Sequence, residues 1–318
     1  MEINRSIEEF GLKNKNQRIV LAIGMFDGVH LGHQQVLGAT CKRSFQISGL
    51  AAAFTFPKHP ASYLRPGKEP PLLMDASEKA KKLLDCGMKA VVMREFNREF
   101  SSVEAEDFVP FLKNRIPSLN GICVGKNFRF GKDRGGDSEF LKLKSEEIGI
   151  NVEVIDSKVL DGEAISSSRI RVALASGEVE LVNEMLGRPY SVHGIVQPGK
   201  AMGRKIGFPT LNLDWEPQCR PVYGVYAGFL TRESSAKRLP AVANYGLRPT
   251  VENQALLPRL EIHSIEELDH MEWKTGVFLK MELGHFIRAE KKFDSLNDLK
   301  FQISKDKEQA RELLDKLS

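Results

Sequence analysis

The feature that most constrains the fold is a change in the periodicity of apolar residues near residue 186. Before that point, short apolar runs such as "RIVLAIG" and "KAVVMRE" alternate with stretches of helical periodicity. After "LGRPY" (residues 186–190), strand-like runs follow one another without helices between them. The two patterns of apolar residues predict two domains. A chain of 318 residues is long enough for two domains of ordinary size. We expect the domains to cover residues 1–186 and 187–318.

The first of these domains is predicted to be an α/β doubly wound fold. The predicted strands are "RIVLAIG", "GLAAAFTF", "KAVVMRE", "NGICVG" and "INVEVID". The predicted helices between them are residues 33–48, "SEKAKKLLDCG", "VEAEDFVPFLKNRI" and "DSEFLKLKSEEIG". Strands joined by helices of this length form a parallel sheet, in which ligands bind beyond the carboxyl ends of the strands.

The second domain is predicted to be an all-β, six-stranded antiparallel barrel with a C-terminal helix. The strand-like runs are "YSVHGIVQ", "FPTLNL", "YGVYAGFL", "LPAVANYG", "RLEIHSI" and "GVFLKMEL", separated by turn residues. A helix capped by Ser295 follows. Its predicted apolar face consists of Leu296, Leu299, Ile303, Ala310 and Leu314.

Composition narrows the class of protein. The longest apolar run, "IVLAIGMF", is far shorter than the roughly 20 residues that span a bilayer, and the N-terminus has no apolar signal core. We therefore expect a cytoplasmic protein that does not bind membranes. The net charge of +4 suits anionic ligands such as nucleotides but is too small to predict nucleic-acid binding. The four cysteines are widely separated in the sequence, which predicts buried free thiols. The sequence leaves self-association of the protein open.

The stretch "IGMFDGVHLGH" is the best candidate for a catalytic site. A predicted apolar strand ends there and a predicted helix begins. The N-terminus of a helix offers backbone N–H groups and a partial positive charge to a phosphate. Gly24, Gly28 and Gly32 allow close approach of the main chain. His30 and His33 can donate hydrogen bonds to phosphoryl oxygens during transfer. A lone histidine is usually structural, but this glycine-spaced pair favours catalysis.

Three segments of the first half resemble a known enzyme class. "HLGH" (residues 30–33) resembles the signature of the nucleotidyltransferase superfamily, and "GMFDGVHLGH" resembles its form in bacterial FAD synthetases. "VGKNFRFGKDRGGD" (residues 124–137) resembles the second motif of that family. "ISSSRIR" (residues 165–171) resembles its serine–arginine phosphate motif, with Ser168 in place of threonine.

The second half resembles riboflavin kinases. "GRPYSVHGIVQPGKAMGRKIGFPTLNL", "GVYAG", "ANYGLRPT", "LEIH" and "IRAEKKF" occur in that family's order. The whole chain is therefore similar to bifunctional bacterial riboflavin kinase/FAD synthetases. The resemblance implies that riboflavin is phosphorylated to FMN with ATP, and that FMN is then adenylylated to FAD with release of pyrophosphate.

The resemblance assigns roles in the second half. Thr210 and Asn212 would belong to an Mg²⁺–ATP site, and Glu261 would be the base that takes the proton from the riboflavin 5′-hydroxyl. The residues expected to surround phosphates are Gly199, Gly203, Gly207 and Lys205 or Arg204. Arg288 would lie near flavin and nucleotide. Without the resemblance, Glu261 could be the solvent face of a strand, and Arg288 a surface ion pair.

The resemblance also assigns roles in the first half. His30 and His33 would stabilise the transferring phosphoryl group. Asn127 would contact flavin or phosphate. The other residues expected to line the nucleotide site are Gly24, Phe26, Gly32, Ser166, Ser167, Ser168 and Arg171. Asp27 would orient the turn or help with Mg²⁺, the alternative being a backbone cap.

The sequence also departs from the family pattern. In "TFPKHP" (residues 55–60), Pro57 and Lys58 stand where the family commonly has an acidic residue, a change that could alter flavin binding. "HMEWKTG" (residues 270–276) replaces a region that usually carries a Tyr-Gly pair. Two rivals remain: a nucleotidyltransferase for another phosphorylated acceptor, and a flavin-binding or RNA-binding regulator with silent active sites.

Overall fold

The computed structural model describes residues 2–199, 203, 206–232, 235, 237–249, 256–268 and 273–317. The chain forms two compact units, Met1–Ser167 and Ser168–Ser318. Across these described ranges, we find no helix with both the length and the apolar character needed to span a bilayer.

The first unit alternates strands and helices. Its strands are β1 (Glu2–Asn4), β2 (Ile19–Ile23), β3 (Leu50–Thr55), β4 (Ala90–Met93), β5 (Leu119–Gly125), β6 (Arg129–Phe130), β7 (Gly136–Asp137), β8 (Asn151–Ile155), β9 (Val159–Leu160) and β10 (Glu163–Ala164). Its helices are α1 (Ile7–Lys13), α2 (Leu31–Gln46), α3 (Ala61–Leu64), α4 (Ala76–Asp85), α5 (Arg98–Ser101), α6 (Phe108–Arg115) and α7 (Ser138–Glu146), with a short 3₁₀ turn at Lys132–Arg134.

Six of these strands form the central sheet, in the order β1-β4-β3-β2-β5-β8, and all pairs are parallel. The predicted doubly wound sheet is therefore confirmed. Every residue of β2 is buried, and separate apolar cores cover the two faces of the sheet. The chain leaves β2 toward β3 and later returns to β5 on the other side. This reversal of strand order opens a crevice at the carboxyl ends of β2 and β5.

Two of the differences between the first unit and the prediction have a reason that can be read in the sequence. Strand β1 was not predicted, because three residues carry no usable periodicity. The helix expected over "VEAEDFVPFLKNRI" begins only at Phe108. A longer helix would have placed Pro110 in its interior, where proline lacks the N–H that the helix needs, whereas Pro110 is tolerated in the first turn.

The second unit begins with helices and continues as a barrel. Its helices are α8 (Ser167–Ser176, whose first residue belongs to the first unit), α9 (Val179–Leu186) and α10 (Leu296–Leu314), with a 3₁₀ turn at Asp315–Leu317. Its strands are β11 (Tyr190–Gln197), β12 (Leu211–Asp214), β13 (Gly224–Arg232), β14 (Arg238–Pro249), β15 (Leu256–Ser264) and β16 (Phe278–Ala289). They close a barrel in the order β11-β12-β15-β14-β13-β16, with antiparallel pairing, which confirms the prediction.

The closing helix α10 packs on β13, β14 and β16. Ser295 caps it as predicted, since its hydroxyl accepts from the backbone N–H of Asp298 at 3.1 Å. Ala310 and Leu314 are buried, but Leu296 is 59% exposed, so its assignment to the apolar face was wrong. Leu296 lies in the first turn, before the buried stripe begins. Within that stripe Asp306, which is charged, is buried.

The four cysteines are free, in agreement with the prediction. Cys123 and Cys219 are buried, whereas Cys41 and Cys86 are only half-buried, so the expectation of burial was wrong for these two. Burial raises the pKa of the Cys123 thiol to about 11. A thiol of this kind is protonated and unreactive at neutral pH.

Candidate active sites

The loop after β2 has an unusual backbone. Phe26, Gly28 and Val29 have left-handed φ values of 51°, 81° and 40°. Two of the three are not glycine, and such residues persist only where the surroundings hold them. Phe26 and Val29 are each 1% exposed, so burial of their side chains stabilises the turn. The backbone N–H of Val29 closes it on the carbonyl of Phe26 at 3.1 Å.

His30 ends this loop and caps helix α2. Its Nδ1 accepts from the backbone N–H of His33 at 3.3 Å. Because Nδ1 accepts, Nε2 of the neutral ring carries the proton and is the donor. A β-carbon on Gly32 would lie 3.2 Å from the His30 ring, so glycine gives the ring its space. The residues that the glycine spacing singled out therefore form the start of the helix together.

The two histidine rings stack, with centroids 3.6 Å apart and an interplanar angle of 19°. His30 is 5% exposed, whereas His33 as a whole residue is half-buried. Burial lowers the pKa of His33 well below its ordinary value, and electrostatic interaction with His30 and with Lys79 lowers it further. His33 is therefore a neutral ring at physiological pH. Its Nδ1 is buried and has no hydrogen-bond partner among the described residues.

Asp27 is 2% exposed and acts on the backbone around it. Its carboxylate accepts from the backbone N–H of Leu73 at 2.9 and 3.2 Å. The hydroxyl of Ser167 donates to the carbonyl of Asp27 at 2.9 Å. The start of the serine–arginine segment (residues 165–171) is thus joined to the loop of residues 24–30, which we call the histidine loop. The contact with Leu73 supports the turn-orienting interpretation of Asp27.

The remaining residues predicted for the first site are placed as follows. The N–H of Gly24 donates to the carbonyl of Phe54 at 3.2 Å, and Gly24 lies against the ring of Phe26. Asn127 is exposed in the turn after β5, and its amide donates to the hydroxyl of Ser157 at 3.5 Å. That turn follows the strand beside β2, so it borders the same crevice as the histidine loop.

Ser166 is half-buried in the first unit. Ser168 and Arg171 lie further along α8, in the second unit, where Ser168 is exposed and Arg171 half-buried. The phosphate contacts expected of Ser168 and Arg171 stay predictions.

Sequence reasoning missed Lys79, a lysine of α4 that is 1% exposed. Its Nζ donates to the carbonyls of Met25 and Phe56 at 3.2 and 2.5 Å. The signal was available in the helical period, because Lys79 lies one turn before the buried Leu83 and therefore on the same face.

In the barrel, a row of polar residues crosses three neighbouring strands. Asn212 of β12 pairs directly with Glu261 of β15, and Glu261 pairs with Asn244 of β14. Directly opposed residues share a face of the sheet. The neighbours of Glu261 in β15, Leu260 and Ile262, are fully buried and point to the barrel interior. Asn212, Glu261 and Asn244 therefore share the outer face, and Asn244 was missed from the sequence.

The segment before β12 covers part of this row. Asn212 is 8% exposed, and a β-carbon on Gly199 would overlap its side-chain amide. A β-carbon on Gly203 would overlap the carbonyl of Phe208 and lie 3.3 Å from the Thr210 hydroxyl. Glycine at both positions therefore brings the main chain close to Asn212 and Thr210. Gly207 has a φ of 89°. Arg204 and Lys205 lie outside the described residues.

His263 follows Glu261 by two residues on the same outer face and was also missed. Its Nδ1 lies 2.9 Å from the carbonyl of Pro209, the residue before Thr210. A carbonyl only accepts, so Nδ1 carries the proton. Burial lowers the pKa of His263. Nε2 is buried and has no hydrogen-bond partner among the described residues.

Arg288 forms an ion pair with the closing helix. Its Nε and Nη2 donate to the carboxylate of Asp306 at 2.7 to 3.0 Å, and Asp306 is 3% exposed. The amide of Gln302 donates to the same carboxylate at 2.8 Å. This geometry agrees with the ion-pair alternative for Arg288, except that the pair is largely buried. The predicted contact of Arg288 with flavin and nucleotide stays a prediction.

Comparison with known proteins matches both halves of the chain to known families. The FAD synthetase family model matches residues 12–169, and the riboflavin kinase family model matches residues 186–314. A bifunctional riboflavin kinase/FMN adenylyltransferase of Haemophilus influenzae is 36% identical over 95% of this chain and 97% of its own. The chain belongs to this bifunctional family. Proteins of the same name from Escherichia coli K12 and Bacillus subtilis are each 34% identical, over 92% and 94% of this chain and 92% and 93% of their own.

The family places an FAD synthetase domain and a riboflavin kinase domain on one polypeptide, and both use a nucleotide substrate. A crystal structure of a macrolide-efflux protein from Streptococcus pneumoniae has a TM-score of 0.82 and 26% identity. The match covers 93% of this chain and 94% of that one. This structure shares the fold over nearly the whole chain, and the name belongs to that protein alone.

Proposed function

We propose that the stacked histidines of the first unit carry out adenylyl transfer to FMN, and that the Asn212–Glu261 row of the barrel carries out phosphorylation of riboflavin. The observation that supports this most is that His30 and His33 stack within the first unit, whereas Asn212 and Glu261 pair directly within the second. Two sets of phosphate-handling residues in separate units suit two reactions in succession on one substrate. We place the functional boundary at residue 186, where the kinase motifs begin.

In the first reaction of the sequence, riboflavin becomes FMN in the barrel. Glu261 accepts the proton of the 5′-hydroxyl as that oxygen attacks the γ-phosphate of ATP, and ADP leaves. Glu261 is half-buried between two asparagines, so uncharged hydrogen-bonding groups flank the carboxylate. Positioning of the hydroxyl and neutralisation of charge dominate such a transfer.

In the second reaction, an oxygen of the FMN phosphate attacks the α-phosphate of a second ATP, and pyrophosphate leaves. Nε2–H of His30 and the neutral ring of His33 donate hydrogen bonds to the phosphoryl oxygens as charge develops. The N-terminus of α2 adds its partial positive charge. Because the rings are fixed by stacking and by the cap, little reorganisation is needed at the moment of transfer.

The family implies Mg²⁺ with the ATP of the kinase reaction. Among the described residues no group of three or more His, Cys, Asp or Glu side chains is arranged to hold a metal ion. The hydroxyl of Thr210 and the amide oxygen of Asn212 are hard oxygen donors of the kind that Mg²⁺ prefers when it is held largely by phosphates and water. These residues would hold it, and bound Mg²⁺ would neutralise phosphate charge.

The test is to incubate the purified protein with riboflavin, ATP and Mg²⁺ and to separate the flavins by chromatography over time. We expect FMN first and FAD later. FMN without FAD would limit the activity to the barrel. No conversion of either flavin would favour the regulator hypothesis, and adenylylation of 4′-phosphopantetheine in place of FMN would favour the other nucleotidyltransferase class.

A further inference from the structure

Lys79 is a buried lysine without a carboxylate in hydrogen-bond contact among its described bonds. It is 1% exposed, and the partners of its Nζ are the backbone carbonyls of Met25 and Phe56. Burial of an ammonium group costs free energy unless its bonds are satisfied. An apolar residue would fill this position of α4 at lower cost. A charged residue that is buried at such a cost suggests a function.

The two carbonyls belong to different loops. Met25 lies in the histidine loop that follows β2, immediately before the left-handed Phe26. Phe56 opens the "FPKHP" segment that follows β3, the strand beside β2. The hydroxyl of Thr55 donates to the same Met25 carbonyl at 3.0 Å. Lys79 therefore joins the turn that carries the histidines to the segment that, by family resemblance, borders the flavin.

The charge of Lys79 also reaches the histidine pair. Burial lowers the pKa of Lys79 to about 8, and the nearby carboxylate of Asp27 opposes this shift. The group is therefore mostly protonated at neutral pH. Its positive charge is one of the causes that lower the pKa of His33, after burial and His30.

We propose that Lys79 is a positioning residue for adenylyl transfer, which holds the histidine loop and the "FPKHP" segment in fixed relation to each other. The inference rests on the proposed function of the first unit. Lys79 does not touch a reacting atom in this account. Its two bonds fix where the loops place the nucleotide and the flavin, and a displacement of about 1 Å in such positioning can cost about 100-fold in rate.

The test compares Lys79→Met with Lys81→Met. Lys81 lies in the same helix and is exposed. Lys81→Met therefore makes the same chemical change but leaves the bonds of Lys79 to Met25 and Phe56 in place. For Lys79→Met we expect kcat for conversion of FMN to FAD to fall about 30- to 100-fold, with KM for ATP and FMN changed less than about threefold. Conversion of riboflavin to FMN by the same preparation should be unchanged, as should both activities of Lys81→Met.

A histidine NMR titration supplies a readout that a purely structural role would not move. Loss of the positive neighbour should raise the pKa of His33 in Lys79→Met and leave it unchanged in Lys81→Met. Lys79→Arg, which keeps the charge and the donors, should recover part of the lost rate. The assays are run at a temperature at which circular dichroism shows the helices of Lys79→Met to be folded.

Three results overturn the inference. One is a folded Lys79→Met whose adenylylation rate is within about twofold of the wild-type rate. Another is a Lys79→Met that does not fold, together with a Lys79→Gln that folds and keeps full activity. The third is an unchanged His33 pKa together with a loss that Lys79→Arg does not repair. Failure of the wild-type protein to convert FMN to FAD would instead overturn the proposed function, so the two failures are distinguishable.

Discussion

The imidazole rings of His30 and His33 stack with their centroids 3.6 Å apart, and His30 is the more buried residue of the two. Two imidazolium rings at this separation would repel each other strongly, so the pair favours the neutral state of His33. In the proposed transfer, the pair would act through N–H donors with little net charge of their own. Such donors would stabilise charge as it develops, in preference to binding the ground-state triphosphate tightly.

The first prediction concerns this pair. His30→Ala removes the cap acceptor of α2 and one phosphoryl donor together, so we expect conversion of FMN to FAD to fall by about 100- to 1000-fold. Conversion of riboflavin to FMN should be unchanged, because the barrel carries its own residues. Each half-reaction is measured separately by chromatography of the flavins.

The matched control for His30→Ala is His193→Ala, which removes a half-buried histidine of strand β11. Both activities of the control should stay within about twofold of the wild-type values, as is usual for substitutions outside a site. If His30→Ala abolished both activities in a folded protein, the assignment of the two reactions to two sites would be wrong.

The second prediction is the reverse separation. Glu261→Gln keeps the size of the side chain and its place opposite Asn212, but removes the base, so FMN formation should fall at least about 100-fold. Supplied FMN should still become FAD at the wild-type rate. Glu267→Gln, an exposed change a few residues further on, serves as the control. Unchanged riboflavin phosphorylation in Glu261→Gln would leave Glu261 as the solvent face of a strand.

The sequence predicted those residues that are defined by motif order, and missed those that are defined by contact. His30, His33, Asn212 and Glu261 stand in ordered motifs, and the structure stacks the two histidines and pairs Asn212 with Glu261. Lys79 acts on two carbonyls that lie 54 and 23 residues away along the chain, and no periodicity encodes such a pairing. His263 and Asn244 became visible only when the register of the barrel placed them beside Pro209 and Glu261.

Asp306 shows a different limit. Helical periodicity predicts an apolar stripe on α10 that includes Ile303, Ala310 and Leu314, and Asp306 lies within that stripe as a buried carboxylate. From the sequence alone, a charged residue at this position would be taken to interrupt the apolar stripe. The structure shows that Arg288 of β16 pairs with it, which is a contact between elements distant in the chain.

The third prediction follows from the pKa of His33. In the folded state this pKa lies well below 6.5, its ordinary value, so near and below pH 6.5 the unfolded chain binds a proton that the folded chain does not. The stability of the first unit should therefore fall as the pH falls through 6.5, by at most about 1.4 kcal/mol per pH unit from this group. His33→Gln removes that contribution.

The measurement for the third prediction is the thermal midpoint of wild-type protein and His33→Gln at pH 7.5 and 5.5. The loss of stability on acidification should be smaller in the variant. Comparison with the variant cancels the contributions of the other histidines, including His263 in the barrel. An equal loss in both proteins would mean that His33 titrates normally in the folded state.

The last prediction concerns His263 and the segment that precedes β12. His263→Phe keeps an aromatic ring against Phe208, whose ring lies 5.5 Å from that of His263, but loses the bond to the carbonyl of Pro209. The unpaired carbonyl then frees Thr210 to move, since a lost buried hydrogen bond costs about 1 to 3 kcal/mol. We expect kcat/KM for ATP in the kinase reaction to fall about tenfold, which is the effect of about 1.4 kcal/mol.

His263→Asn, whose amide can donate in place of Nδ1, should recover part of the loss, and FMN adenylylation should not change. His193→Phe is the matched control. A His263→Phe variant with unchanged kinetics would show that the position of Thr210 does not depend on this bond.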